Sequence, residues 1–371
     1  MLALIDGNSF YCSCERAFDP RLRGKPVVVL SNNDGCAIAR TLEAKDLGVR
    51  MGEPYHLAKS RPELSSVIWK SSNYALYGDM SRRMYQVLCE HVPSVEPYSI
   101  DEMFLDLAGM SDPVAVSVAV RHALLRAAKI PTCVGIGPTK TIAKLANAVA
   151  KKDRGGSGVA DLSDGAVRVE VYRSTAIADV WGIGPAAAAK LSARGIGSIA
   201  EFIALPDDDI RKLLSVVGLR TAWELRGVRC APFSEVSATR KSLAVTRSFG
   251  RPVESKDELL AAIATYATRA GEKLRRHGLV ATAMQVFVMT NRFAKTEPHY
   301  ANQSTFAIEP TADTMALIAS ASRAAQHLWR DGYRYGKAGV VLLDLAEATA
   351  QPRSLFPSRD PAQSAALMHA L

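Results

Sequence analysis

The stretch Tyr98-Ser99-Ile100-Asp101-Glu102-Met103-Phe104-Leu105-Asp106-Leu107 sets two adjacent carboxylates beside an apolar run with strand character. On a regular strand, neighbouring side chains point to opposite faces, so Asp101 and Glu102 would serve different surfaces. At the tight turn of a hairpin, both can instead converge on one point. A third carboxylate, Asp6, ends the apolar run Leu2-Ala3-Leu4-Ile5, which is short enough to be a buried strand. Converging hard oxygens suit Mg²⁺. For a bare Asp-Glu pair the competing reading is a solvated turn; the apolar flanks and the separate Asp6 argue against it.

Working outward, the first third reads as mixed α/β. Strands are expected at Leu2 to Ile5, Val27 to Leu30, on either side of Asp101-Glu102, and at Thr132 to Ile136. Helices are expected at Arg40 to Leu47, Val114 to Lys129 and Thr141 to Lys152. This order suits a ferredoxin-like sheet with helices on one face. A helical segment follows, from about residue 167 to 227. It contains Val180-Trp181-Gly182-Ile183-Gly184 and then an alanine-rich helix from Pro185 to Ala193. Two glycines around a small apolar residue at a helix start turn backbone N–H groups outward, where they can hold a phosphate. That is the pattern of a helix-hairpin-helix; an ordinary corner between helices is the alternative. Residues 230 to 241 read as a linker. Beyond it, strands at 243–249, 280–290, 303–308 and 337–345 alternate with helices at 256–277 and from the Asp313 cap to Trp329, giving βαββαβ. The basic residues of this second unit include Arg247, Arg251, Arg292, Lys295, Arg334 and Lys337. A sheet face lying against a duplex backbone would explain the set, and a solvated surface any one of them. From about Glu347 the chain reads as a tail, with Leu355-Phe356 as an apolar pair in the segment that begins at Gln351.

The 371 residues carry a net charge of +9, and nearly half are hydrophobic. Global disorder is excluded by that composition, and a polyanionic partner is favoured. No run of eighteen apolar residues and no secretory leader is legible, so the polyanion is expected to be nucleic acid and not a membrane. Cys12, Cys14, Cys36, Cys89, Cys133 and Cys230 show no paired spacing, which suits free thiols and no zinc.

Three acids at strand ends with a basic helix nearby match what phosphoryl transfer from a nucleoside triphosphate requires: alignment of nucleophile and leaving group, and neutralisation of charge. Two Mg²⁺ ions about 3.5–4 Å apart can do both. Asp6, Asp101 and Glu102 are the candidate ligands, with the Gly7 carbonyl as a fourth. Lys140, Lys144 and Lys151 fall at spacings of four and seven and share a helix face. With Lys152 and Arg154 they are candidates for the triphosphate, as are Arg40 and Lys45; a solvated basic face is the alternative. Tyr11, close after Asp6, can stack on a sugar, whereas Phe10 fits core packing.

Asp6-Gly7-Asn8-Ser9-Phe10-Tyr11, the segment from Gly24 to Cys36, Tyr98 to Asp106 and Lys140 to Asn147 resemble the Y-family translesion DNA polymerases. Ser31-Asn32-Asn33-Asp34-Gly35-Cys36 and Ser71-Ser72-Asn73-Tyr74 resemble its bacterial UmuC group, that of the catalytic subunit of DNA polymerase V. The resemblance runs to about Phe356. It implies an α+β right-hand polymerase: a ferredoxin-like palm (1–18 and 73–164), small fingers (19–72), a helix-hairpin-helix thumb (165–230), a linker (231–241), a βαββαβ little finger (242–346) and a tail (347–371). It implies error-prone translesion synthesis in the bacterial SOS response, with two Mg²⁺ held by Asp6, Asp101, Glu102 and the Gly7 carbonyl. Tyr11 becomes a steric gate against the ribose 2′-hydroxyl, and Lys151 and Lys45 become triphosphate contacts. Many family members carry an arginine at the Lys45 position and a tyrosine where this chain has Leu42, so Lys45 is a point charge without the arginine fork. DNA contacts fall on Gly182, Gly184, Arg247, Arg251 and Arg292. Gln351, Leu355 and Phe356 resemble a sliding-clamp motif of uncommon spacing. Implied partners are primer-template DNA, dNTP, the clamp, a UmuD-type accessory subunit and RecA, in a cytoplasmic, nucleoid-associated setting. The group often has a longer C-terminal extension tied to its accessory subunit. Competing readings are a non-catalytic repair scaffold and a nucleotide cyclase, which uses a similar palm.

Overall fold

A computed structural model describes residues 1–153, 155–234, 240–294, 296–349 and 366–368. The chain divides into two compact units, Met1–Ser237 and Ala238–Leu371.

In the first unit the elements run β1 (Leu2–Gly7), α1 (Phe10–Phe18), β2 (Val27–Leu30), β3 (Ala37–Arg40), α2 (Leu42–Asp46), α3 (Tyr55–Ala58), β4 (Ile68–Ser71), α4 (Tyr74–Cys89), β5 (Ser94–Pro97), β6 (Glu102–Asp106), α5 (Pro113–Ala128), β7 (Thr132–Gly137), α6 (Lys140–Lys152) and β8 (Val159–Asp161). Then come α7 (Gly165–Ser174), α8 (Pro185–Ser192), α9 (Ile199–Ile203) and α10 (Asp207–Leu225). Five strands form one sheet in the order β5-β6-β1-β7-β8, and β3-β2-β4 form a smaller one. The helix expected from Arg40 to Leu47 is present as α2, capped by Thr41; Arg40 itself closes β3, whose Ala37 and Ala39 are buried.

Both faces of the five-stranded sheet are covered, where helices on one face were expected. Ala3, Ile5, Met103, Leu105, Val134 and Ile136 pack with Tyr77, Met84 and Leu88 of α4 and Val120 and Leu124 of α5. The alternate residues Leu4 and Phe104 pack on Ala143 of α6. Two glycines of β7 permit this second layer. A Cβ at Gly135 would stand 2.0 Å from the Asn147 backbone nitrogen and 2.3 Å from the Ala143 carbonyl oxygen; at Gly137 it would stand 2.9 Å from the Ala143 nitrogen. The missing side chains let α6 lie directly on the strand. Thr139 caps α6, its hydroxyl accepting from the Ile142 N–H.

The presumed linker begins tied down. Glu224, 3 % exposed, accepts from the backbone N–H groups of Thr141, Cys230 and Ala231. Lys140 donates to the Pro232 carbonyl, and the Ser234 N–H donates to Glu96.

The second unit is β9 (Ser242–Val253), α11 (Lys256–Arg276), β10 (Leu279–Thr290), β11 (Ala301–Thr311), α12 (Thr314–Leu328) and β12 (Tyr335–Glu347). Its antiparallel sheet has the order β11-β10-β12-β9, and α11 and α12 pack on one face. Asp313 caps α12, accepting from the Met315 and Ala316 N–H groups. Met368, in the stretch read as a tail, is buried and its Sδ accepts from the Thr314 N–H. No described helix is long and apolar enough to cross a membrane.

Candidate active site

The two carboxylates stand at a hairpin turn. Tyr98 and Ser99 both donate their N–H groups to the Glu102 carbonyl, closing the loop between β5 and β6. The Ser99 hydroxyl accepts from the Asp101 and Glu102 N–H groups and donates to Asp101 Oδ1 at 2.7 Å. Glu102 opens β6 directly opposite Asp6 in the antiparallel register. Directly opposed residues share a face, and here it is the face covered by α6. The Gly7 N–H donates to the Asp101 carbonyl at 2.9 Å, locking the turn to the end of β1.

The lysines of α6 meet the carboxylates of three neighbouring strands in order. Lys140 pairs with Glu96 of β5 at 2.6 Å, Lys144 with both oxygens of Glu102 of β6 at 2.9 Å, and Lys151 with Asp6 of β1 at 2.5 Å. Lys140 is buried and committed to this pair and to Pro232, which corrects its expected availability to a triphosphate. Burial pushes the Asp6 carboxyl up from 3.8 to about 6; the Lys151 ammonium opposes the rise, and the charges of Glu102 and Asp101 add to it. Lys45 belongs to the same field, since Arg40 and Lys151 add to desolvation in depressing its pKa while Asp6 opposes them.

Tyr11 stacks on Tyr77, with ring centroids 4.4 Å apart and planes 17° off parallel, and meets the Tyr74 ring edge-on. Its phenol is pushed up by burial, then by Tyr74 and Asp101. The Asp101 charge thus acts on both Tyr11 and Asp6, while Glu102 pairs with Lys144 of α6. A cavity of 290 Å³ opens beside Asp6, Glu102, Lys144, Asn147, Lys151 and Trp181.

The donor set is oxygen-only, as a hard divalent cation requires. Among the described residues, no three acidic, His or Cys side chains close on one point. Each of the three acids instead has its own partner: Asp6 pairs with Lys151, Glu102 with Lys144, and Asp101 accepts from Ser99. The backbones of Asp6 and Glu102 face each other across the β1–β6 register.

Gly182 adopts φ +95° in the turn before α8, and Gly184 is the helix N-cap. In the second unit, Arg247 is registered opposite the buried Ala338 and influences Tyr266 of α11. It lies on the helix side of edge strand β9, not on the open sheet face. Arg251 pairs with Glu258 of α11, Arg334 with Glu254 and Glu297, and Arg292 lies over the Phe293 ring. Lys337, opposite Ser248 and Met289, is on the open face. Gln351, Leu355 and Phe356 lie outside the described residues, as do Arg154 and Lys295.

Sequence reasoning missed the role of Trp181, whose indole N–H donates to the Tyr98 hydroxyl at 3.2 Å. Its place next to Gly182 was the available signal. It also missed Gly135 and Gly137, whose alternate spacing in a strand marks close backbone approach.

Residues 5–148 match the impB/mucB/samB family and residues 240–355 the impB/mucB/samB family C-terminal domain. The chain is 43% identical to Protein UmuC of Salmonella typhimurium strain LT2, covering 100% of this chain and 89% of that one. It is 41% identical to Protein ImpB of Salmonella typhimurium, over 97% and 87%. DNA polymerase IV of Moorella thermoacetica is 28% identical over 96% and 88%. Among solved structures, a Y-family DNA polymerase chimera of Dbh and Dpo4 superposes with TM-score 0.73 at 19% identity, over 92% of this chain and 98% of the other. The insertion ternary complex of Dbh DNA polymerase gives 0.56 at 18% identity, over the same shares. The two family matches and 43% identity to UmuC along this whole chain, on a Y-family backbone, make the chain a member of the impB/mucB/samB family, in the UmuC group of Y-family DNA polymerases.

Proposed function

We infer that the chain is a template-directed DNA polymerase that adds deoxynucleotides to a primer 3′-hydroxyl opposite damaged template, an error-prone step of the bacterial SOS response. The observation that carries the site is the in-register pairing of Asp6 with Glu102 under a helix whose lysines balance them, in a chain aligned along its length with UmuC. Asp6, Asp101, Glu102 and the Gly7 carbonyl would hold two Mg²⁺. When bound, those ions supply activation of the primer hydroxyl and neutralisation of the triphosphate. Lys151 and Lys45 add positive charge at the phosphates. Stacking on Tyr77 would buttress the Tyr11 ring as a steric gate against the 2′-hydroxyl. The N–H groups around Gly182 and Gly184 grip the DNA backbone, and Arg247, Arg251 and Arg292 contact phosphates of the duplex.

This reading assigns palm, fingers, thumb, linker, little finger and tail to the residue ranges expected above. It also makes Gln351, Leu355 and Phe356 a sliding-clamp peptide, adds a UmuD-type subunit and RecA as partners, and places the protein with the nucleoid in the cytoplasm. The test is primer extension past an abasic site with Mg²⁺, with and without those partners. Asp101→Ala should reduce extension by about a hundredfold or more while leaving primer-template binding intact. Wild-type rates from that variant would overturn the metal assignment. Tyr11→Ala should raise ribonucleotide relative to deoxynucleotide incorporation.

A further inference from the structure

Lys144 is held from two sides. Both Glu102 oxygens accept from its ammonium at 2.9 Å. On the other side the ammonium lies 4.6 Å from the Tyr98 ring centroid and 5.4 Å from that of Trp181. The two rings stand edge to face, 5.6 Å apart and 88° between planes, and are joined by the indole-to-hydroxyl hydrogen bond. Tyr98 also meets the ring of Phe104, which is buried in the sheet core, edge to face at 5.6 Å. Trp181 comes from the turn that leads into α8, so this seat joins that turn to the catalytic hairpin.

We propose that Lys144 is the positioning residue of Glu102 and that Tyr98 and Trp181 are the seat that fixes its ammonium. A lysine head on a four-carbon stem samples many positions, and a glutamate at a strand end has three free torsions. Two aromatic walls restrict the first, and a two-oxygen contact then restricts the second. The inference rests on the reading of Glu102 as a divalent-cation ligand. It carries a signature that simple support of the fold does not. The ammonium and a divalent cation compete for the same two oxygens, so loosening the seat should tighten cation binding. Turnover should fall at the same time, because the carboxylate loses its orientation.

The experiment measures Mn²⁺ binding to the full chain by calorimetry or electron paramagnetic resonance without DNA, together with primer-extension kinetics. Trp181→Leu should lower the Mn²⁺ dissociation constant about threefold and kcat about tenfold, with KM for dNTP nearly unchanged. Trp181→Phe should restore most of both. Lys144→Met should tighten Mn²⁺ about tenfold and lower kcat further, which keeps the inference testable if the tryptophan variant melts early. Unchanged or weaker Mn²⁺ binding in a folded Lys144→Met or Trp181→Leu protein would overturn it. Glu102→Gln separates the two readings. If it weakens Mn²⁺ binding while Trp181→Leu does nothing, the seat alone fails; if it leaves Mn²⁺ binding unaltered, the ligand assignment fails and the seat with it.

Discussion

The two main sheets of this chain solve the same packing problem differently. The five-stranded sheet of the first unit is covered on both faces, by α4 and α5 on one and α6 on the other. The four-stranded sheet of the second unit carries α11 and α12 on one face, and among the described residues the other is open. In the first, carboxylates at strand ends are buried under a helix and must be balanced by lysines on that helix. In the second, charges stay at the rim, where ion pairs such as Arg251–Glu258 are mostly solvated, with side-chain exposures of 78 % and 39 %. A second layer of helix over an acidic strand end removes water from it and raises its proton affinity, as at Asp6.

The largest effect expected from this contrast comes from the glycines that admit α6. Gly135→Ala would set a methyl group against the backbone of Asn147 and Ala143, which cannot rotate away. Overpacking against backbone should cost about 3 kcal/mol or more, and displace α6 with its lysines. Gly339→Ala in β12 would meet the Thr246 and Phe287 side chains instead. These can shift, so about 1–2 kcal/mol is expected. Thermal unfolding of both variants ranks them; equal losses would remove the distinction between the two sheets.

Next in size is the Lys140–Glu96 pair, with side chains 5 % and 13 % exposed. Lys140→Met strands a desolvated carboxylate and should cost about 3 kcal/mol. It should also free the segment near Pro232 and Ser234, read as faster amide exchange at Ser234. Arg251→Ala should leave unfolding unchanged within error.

How far the sequence revealed these layers depended on the signal each left. Helix α12 was legible because Asp313 announces it, and β10 because Val280 to Thr290 is a largely apolar run that alternates buried and half-buried residues from Met284 onward. The pairing of Asp6 with Glu102 was legible only as two separated acids, since register is a property of the folded sheet. Helix α4 went unread although Asn73 caps it and Tyr77, Met80, Met84 and Leu88 fall at helical spacing. Strands β3 and β4 match β2 in length, but each ends on charged or polar residues (Ala37-Ile38-Ala39-Arg40 and Ile68-Trp69-Lys70-Ser71), whereas β2 is the all-apolar Val27-Val28-Val29-Leu30. The layer of α6 was missed because glycine carries no hydropathy signal, so Gly135 and Gly137 read as a weak strand end and not as a bed for a helix.

A pH dependence should separate the sheets further. With the Asp6 carboxyl raised to about 6 from an ordinary 3.8, chiefly by burial, the native state keeps a proton that the unfolded chain has lost between those values. This component of stability is therefore full below about pH 3.8 and is lost as pH rises through about 6, by up to about 3 kcal/mol. Asp6→Asn should flatten that slope when chemical unfolding is followed in EDTA between pH 4 and 7. A slope that survives in the variant would assign it elsewhere.

The smallest effect concerns how the second sheet meets DNA. Arg247 and Arg251 sit on the helix side of edge strand β9, while Lys337 is on the open face. A duplex along the β9 edge would reach the two arginines; a duplex across the open face would reach Lys337. Each phosphate that the protein ceases to neutralise lowers the slope of log binding constant against log salt by about 1. With the edge against the duplex, Arg247→Ala and Arg251→Ala should each remove about that much, and Lys337→Ala nothing. The reverse pattern would move the duplex onto the open face and leave the arginines as rim charges. Because slope reads the number of phosphates and not overall affinity, the result is insensitive to any small loss of stability in the variants.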